Sequence, residues 1–271
     1  MSESSLAEAP AGITVMTINV GNGLAPDVQV LRALRESDAD IIGVEELNHR
    51  QAGVLDEGLA DAYPFRAFFG DSYEGRGLLS RFPLMSANLV HFIPDRPDVL
   101  ATVDTGQLLL TVIVGHPRPQ IMRRGRVMFQ TASLRQILGL ARLAHQHPPA
   151  VLMGDFNMGP RHPGYGRFRK LGLTDAFAVA GSGRGLTFPL RLGVVGIGSG
   201  RELRRTVPAI PIKRFDHIWH TPDLVAERAW IGPDAGSDHA SVMARILLPG
   251  EANQAKSGCI PHEAGRRTEP I

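Results

Sequence analysis

The feature that most constrains this chain is a repeated one: a short apolar run that closes on a polar, chemically able residue. Ile13–Val20 carries Asn19 near its end, and Ile41–Val44 runs into Glu45 and Glu46. Thr111–Val114 is followed by His116, and Val151–Met153 opens into Gly154-Asp155-Phe156-Asn157. Arg214-Phe215-Asp216-His217-Ile218 and Gly236-Ser237-Asp238-His239 sit at two later runs. Uninterrupted apolar runs of roughly four to eight residues suit strands buried on both faces. Such strands must stack into covered sheets. Their polar ends then collect at a sheet rim, where side chains can converge outside the core.

Helical spacing interrupts the strands. Asp27–Arg35 places Val28, Leu31 and Leu34 on one face behind Pro26, and Gly53–Ala60 reads as a second helix. Val127–His145 is the strongest helical stretch, with Phe129, Leu134, Ile137, Leu138 and Leu143 as its stripe. Strands are expected at Leu78–Ser80, Leu84–Phe92, Val99–Val103 and Leu108–Val114, parted by turns at Arg81–Pro83, Pro94–Pro97 and Thr105–Gly106. Asp216–His220, Ala226–Ile231 and Ser241–Leu248 complete the set. Hairpin-linked neighbours beside longer crossings predict two mixed β-sheets packed face to face with helices outside, not a simple parallel doubly wound sheet. The folded body is expected over 12–248, with a disordered tail at 1–11 and a flexible one at 249–271, where Gly, Pro and charge dominate. Leu190–Ile212 fits no element: it starts apolar and Gly-rich, then turns basic at Arg201, Arg204 and Arg205, and is too long for an ordinary connector.

Composition removes several classes. With 43% hydrophobic and 21% charged residues among 271, there is enough apolar surface to fold. The single cysteine, Cys259, excludes a disulfide framework and a cysteine-based zinc site. No basic-then-apolar leader opens the sequence and no stretch approaches the ~18–20 apolar residues of a membrane span. A soluble, cytoplasmic monomer is expected, with no protein partner implied. Net charge is +2 and the cations are almost all Arg, which suits phosphate contact without the charge density of a histone-like binder.

The stretches TINVGNG, DIIGVEEL, GLLSRFPL, VIVGHPRP, VLMGDFN, RFDHIW and GSDHASV, in that order over residues 13–248, resemble the endonuclease/exonuclease/phosphatase superfamily. That superfamily includes secreted DNases, apurinic endonucleases, bacterial sphingomyelinases and inositol polyphosphate 5-phosphatases. The resemblance implies a DNase-I-like four-layer α/β sandwich with its site at one rim between the sheets. It implies hydrolysis of a phosphate ester with Mg2+ or Mn2+. By the same resemblance Glu46 binds the metal, Asn19 lies beside it, and Asp238 is a further metal-side carboxylate. Asp155 and Asn157 orient the attacking water and grip the phosphate. His239 contacts the scissile phosphate, Asp216 orients His239, and His116 neighbours the leaving group. The chemistry is coherent: a phosphodiester is an anion that repels hydroxide, so hydrolysis needs charge neutralisation, a placed water and help for the leaving oxygen.

The sequence departs from the family pattern in places. Glu45 stands where Gln is usual, and could add to the metal site or turn away into a salt bridge. Gly115-His116-Pro117-Arg118-Pro119 replaces the common Thr-His-Leu, and Ser241 stands where Pro is usual. The substrate stays open. Arg118, Arg124 and Arg205 could contact the phosphates of a nucleic acid, but aromatics for base stacking are only 6%. Alternatively, Leu192–Ile197 and the following Arg residues could meet a lipid-linked or other small phosphate ester. A non-catalytic nucleic-acid-binding module is disfavoured, since every matched position holds a competent residue.

Overall fold

The computed structural model describes residues 12–123, 126–128, 130–195 and 204–249. The first half of the chain forms β1 (Gly12–Asn19), α1 (Asp27–Glu36), β2 (Ile41–Glu45), α2 (His49–Gly58), β3 (Phe65–Phe69), β4 (Arg76–Ser80), β5 (Leu84–His91), β6 (Pro97–Asp104) and β7 (Leu109–Val114). The second half forms β8 (Ile121–Arg123), β9 (Arg126–Met128), α3 (Thr131–Gln146), β10 (Ala150–Asp155), α4 (Pro163–Lys170), β11 (Thr174–Asp175) and α5 (Ala176–Ala180). It closes with β12 (Arg191–Val195), β13 (Arg204–Pro208), β14 (Asp216–His220), β15 (Val225–Ile231) and β16 (Val242–Leu247).

Two six-stranded sheets result, ordered β15-β16-β1-β2-β4-β3 and β11-β14-β10-β7-β6-β5. Each has one parallel pair at its centre, β1 with β2 and β7 with β10, flanked by antiparallel neighbours. The sheets pack face to face through Val15 and Ile41 on one side and Val112, Val114, Val151 and Met153 on the other. Met16, Ile18 and Val44 point the opposite way, against Val30, Leu34 and Leu55 of α1 and α2. On the far side Ile113, Leu152 and Trp219 meet Ile137 and Leu140 of α3 and Phe168 of α4. Layers therefore run helix, sheet, sheet, helix, the expected four-layer sandwich. Burial on both faces explains why β1 carries apolar residues on both sides, Ile13 and Val15 on one and Met16 and Ile18 on the other. Truncating one fully buried core residue such as Leu140 to Ala costs about 2–5 kcal/mol.

Several local expectations are corrected. α1 buries Val30, Ala33 and Leu34, while Val28 is 72% exposed. α2 starts at His49 because the Asn48 side chain caps it, accepting from the Gln51 amide at 2.9 Å. Val127 belongs to β9, paired with β8, so the helix expected from Val127 begins at Thr131. Apolar spacing simply ran on through a hairpin. β3 was not expected. Leu190–Ile212 does hold structure: β12 and β13 pair antiparallel, and Arg191 anchors the hairpin on Asp234 at 2.9 and 2.5 Å. The expected tails at 1–11 and 249–271, apart from residue 249, lie outside the described residues, as do Arg124 and Arg201. Among the described residues no helix is long and apolar enough to cross a membrane.

Candidate active site

Four side chains meet at the carboxyl ends of the two central parallel pairs. β1 ends on Asn19, β2 runs into Glu46, β7 is followed by His116, and β10 ends on Asp155. Asn19 Nδ2 donates to Glu46 Oε1 and to Asp155 Oδ2, 3.1 Å in each case. One amide thus ties together carboxylates from different sheets. Its Oδ1 is steadied by the Gly21 amide at 2.9 Å. His116 Nε2 faces the same two carboxylate oxygens at 3.5 Å.

The backbone is shaped to allow this. Glu46 and Asn157 take left-handed φ values of 53° and 49°, turning the chain sharply just after a strand. Such a conformation costs a non-glycine residue of order 1 kcal/mol and needs surrounding bonds to hold it. Those bonds exist: the Asn22 amide donates to Glu46 O at 2.9 Å, and the Asn157 amide to Asp155 Oδ1 at 2.8 Å. Gly154 has φ 146°, and a Cβ there would stand 1.9 Å from Gly115 O. Main chain therefore touches main chain, which sets Asp155 against His116.

The segment before β16 completes the group. Ser237 Oγ donates to Asn19 O at 2.6 Å and accepts from the His239 amide at 3.2 Å. His239 Nδ1 lies 2.9 Å from Oδ2 of Asp216, whose strand pairs Asp216 directly with Asp155. His239 Nε2 stands 3.7 Å from Asp155 Oδ2, and the Phe188 ring covers the imidazole at 4.7 Å between centroids. Burial pulls the His239 pKa down, but the Asp216 and Asp155 carboxylates outweigh it and push it up to about 10. His239 is an imidazolium at neutral pH. Asp238 adds negative charge nearby, its Oδ1 3.3 Å from Ser237 Oγ.

The carboxylates respond to burial in the opposite sense. Desolvation lifts Glu46 to about 7, with Asp155 and Asp238 adding to the rise. Asp155 is also raised by burial, and the His239 imidazolium works against that rise. Burial, with the Arg76 and Arg96 cations, holds His116 well below the ordinary histidine value, so it is neutral. Arg96 Nη1 faces His116 Nδ1 at 3.5 Å, while Nε2 faces Glu46 and Asp155.

The remaining candidates are less central. Asn157 Nδ2 donates to Pro117 O at 3.1 Å, stitching the turns after β7 and β10. Arg118 is committed to Asp95, an ion pair that occupies the guanidinium expected to contact phosphate. Arg205 lies on β13, with its side chain outside the described residues. Glu45 forms no salt bridge among the described residues. It is fully buried, accepts from Thr17 Oγ1 at 2.7 Å, and is raised well above the usual range by desolvation, while its Oε2 lacks a hydrogen-bond partner.

Sequence reasoning missed the layer beneath His116. Arg76 Nη2 and Arg96 Nη1 reach His116 O at 3.4 and 3.3 Å. Asp98 Oδ1 accepts from the His116 amide at 3.0 Å, and both Asp98 oxygens accept from Gln136 Nε2. Burial lifts the Asp98 carboxyl to about 6. The available signal was charge inside otherwise buried strands, which is costly unless partnered.

Asp155, Asp216 and His239 offer ligand atoms within 4.8 Å of one another. Both Asp216 oxygens, however, engage His239 Nδ1, at 2.9 and 3.2 Å, so this trio is an oriented imidazolium and not a metal cage. The carboxylates least supplied with positive charge are Glu46 and Asp155. Asp155 is buried and Glu46 largely so; burial raises both, Asp155 raises Glu46 further, and a neutral amide and a neutral imidazole bridge them. Hard oxygen donors short of positive charge fit a divalent cation such as Mg2+ or Mn2+.

The pattern of the endonuclease/exonuclease/phosphatase family matches residues 16–239. Similar solved structures include an endonuclease/exonuclease/phosphatase from Beutenbergia cavernae, with 18% identity over 89% of this chain and 73% of that one and a TM-score of 0.63. Another, from Bacteroides vulgatus, has 18% identity over 88% of this chain and 100% of that one, TM-score 0.64. A mannosyl-6-phosphatase of Bacteroides thetaiotaomicron has 17% identity over 87% of this chain and 100% of that one, TM-score 0.62. Likeness at this identity is one of fold. Comparison with curated proteins finds no match.

Proposed function

We propose that this chain, which belongs to the endonuclease/exonuclease/phosphatase family, is a divalent-metal-dependent hydrolase of phosphate esters, working by in-line attack of water on phosphorus. The observation that carries the reading is the Asn19 amide bridging Glu46 and Asp155, beside an imidazolium held by Asp216. Glu46, with Asp238 and Asn19 beside it, would hold Mg2+ or Mn2+, and the bound ion supplies Lewis-acid neutralisation of phosphoryl and leaving-group charge.

The chain's own residues carry the rest. Asp155, with its proton affinity raised by burial, is suited to take the proton of the attacking water. The Asn157 amide sits two residues on and orients the phosphate. His239 presents its Nε2 proton to a non-bridging phosphoryl oxygen, while Asp216 keeps the ring charged and aimed. His116, neutral with its Nε2 facing the centre, stands on the leaving-group side.

The test uses bis(p-nitrophenyl) phosphate with Mg2+ or Mn2+. Nitrophenolate release that stops on adding EDTA and returns with excess metal is expected. No release with either ion would overturn the proposal.

A further inference from the structure

Beside the catalytic rim lies a cavity of about 810 Å³, the size of a small-molecule site, which is roughly 300–1,000 Å³. Its wall is joined to the catalytic group at three points. Phe215 precedes Asp216 and stacks on Phe188, the ring that covers His239, at 5.6 Å. Gln120 Nε2 donates to Asn157 O at 3.1 Å. Gly159 follows Asn157 by two positions. The cavity wall and the His239 group thus share the Phe188–Phe215 ring pair.

The charge of the wall is one-sided. Arg161, Arg184, Lys213 and Arg214 line it, and no Asp or Glu does. Arg214 is neutralised from behind by Asp175 at 3.1 and 2.7 Å. Arg161, Arg184 and Lys213 are exposed and have no ion-pair partner among the described residues. Between them the surface is apolar, from Phe177, Leu186, Ile212 and Phe215. The rings are already engaged: Phe215 is stacked on Phe188 and faced by Lys213 Nζ at 5.2 Å, and Phe177 carries the Arg214 guanidinium at 5.5 Å. That arrangement leaves poor ground for a stacked nucleobase.

We infer that this cavity is a second anion subsite, and that the substrate is a compact phosphate ester carrying a further phosphate or carboxylate on an apolar body. The inference rests on the phosphate-ester reading of the neighbouring rim. Charge-assisted contacts from unpaired cations on a half-apolar wall give each added anion a tight, directional grip.

The experiment measures binding by calorimetry in EDTA, so that turnover plays no part. The probes are phenyl phosphate and 1,4-phenylene bisphosphate, which share a body and differ by one phosphate. The protein should prefer the bisphosphate by about tenfold or more. In the triple variant Arg161→Gln, Arg184→Gln and Lys213→Gln that preference should shrink to about threefold or less. A charge-matched control, Arg135→Gln with Arg142→Gln and Lys170→Gln, should keep it. Equal affinity for the two probes overturns the subsite, as does an equal loss in both triple variants. A single-stranded oligonucleotide binding more tightly than the bisphosphate overturns the compact-ligand assignment. Bisphosphate selectivity without any ester hydrolysis would leave the subsite standing and remove the hydrolase reading instead.

Discussion

Strand β14 separates two buried carboxylate clusters that are settled in opposite ways. On one face Asp216 holds His239 at the rim, 2.9 Å from its Nδ1. On the other, His217 stands 3.4 Å from Asp175, which also receives Arg214 at 3.1 and 2.7 Å and the Tyr165 hydroxyl at 2.7 Å. Burial works to raise Asp175, but hydrogen bonding and charge from His217 and Arg214 hold it well below the usual carboxylate range. At the rim burial wins instead, and Glu46 is pushed up to about 7. The chain can neutralise a buried carboxylate when it supplies the cations itself. At the rim the His239 imidazolium serves Asp216 and Asp155 but leaves Glu46 without a cation of its own among the described residues, a deficit that a bound cation can satisfy.

The contrast can be broken at its active end first. Asp155→Ala should lower ester hydrolysis about a thousandfold in steady-state assays. The denaturation midpoint of the metal-free variant should stay level or rise, because a buried charge under repulsion is gone. A folded variant of undiminished rate would remove Asp155 from the chemistry. On the settled side, Arg214→Met should cost about 3–5 kcal/mol in urea unfolding, since it strands the buried Asp175 charge. A loss below about 1 kcal/mol would show that this cluster is not self-neutralised.

Stability should also respond to pH with opposite sign at the two clusters. Glu46 is raised above its ordinary 4.5, so its favourable contribution is full below pH 4.5 and disappears as pH rises through about 7. Asp175 is lowered, so its contribution is present above pH 3.8 and disappears on acidification. In the metal-free protein at pH 8, Glu46→Gln should therefore recover up to about 3 kcal/mol, read from denaturant curves. Asp175→Asn should lose stability at that pH. The smallest effect expected is from the ion: Mn2+ at about a hundredfold over its Kd should add about 2.7 kcal/mol to the native protein. Glu46→Gln should abolish most of that gain.

Much of this was legible because strand ends announce themselves. Asn19, Glu46 and Asp155 each stand at the end of an apolar run, His239 just before one, and β14 has the limits expected for it. Charge placed inside a strand was harder to read. Arg76 and Asp98 meet at His116 from positions far apart in sequence, and no periodicity encodes such a meeting. Val127 and Phe129 extended the stripe of α3 in sequence, yet β8 claims Val127 for a ladder. β3 escaped notice because its face is only half covered and shows no clean alternation. The cavity wall is assembled from 159–162, 183–186 and 212–215, loops with no shared motif.

The contact of Gly154 with Gly115 carries a consequence for anyone altering this protein. The gauge of the reactive gap is written in main-chain atoms, and a single added methyl would pry it open. A saturation scan should therefore score position 154 as indispensable although no side chain there meets a reactant. Exchanging the loops that bear Arg161, Arg184 and Lys213 should leave that gauge intact.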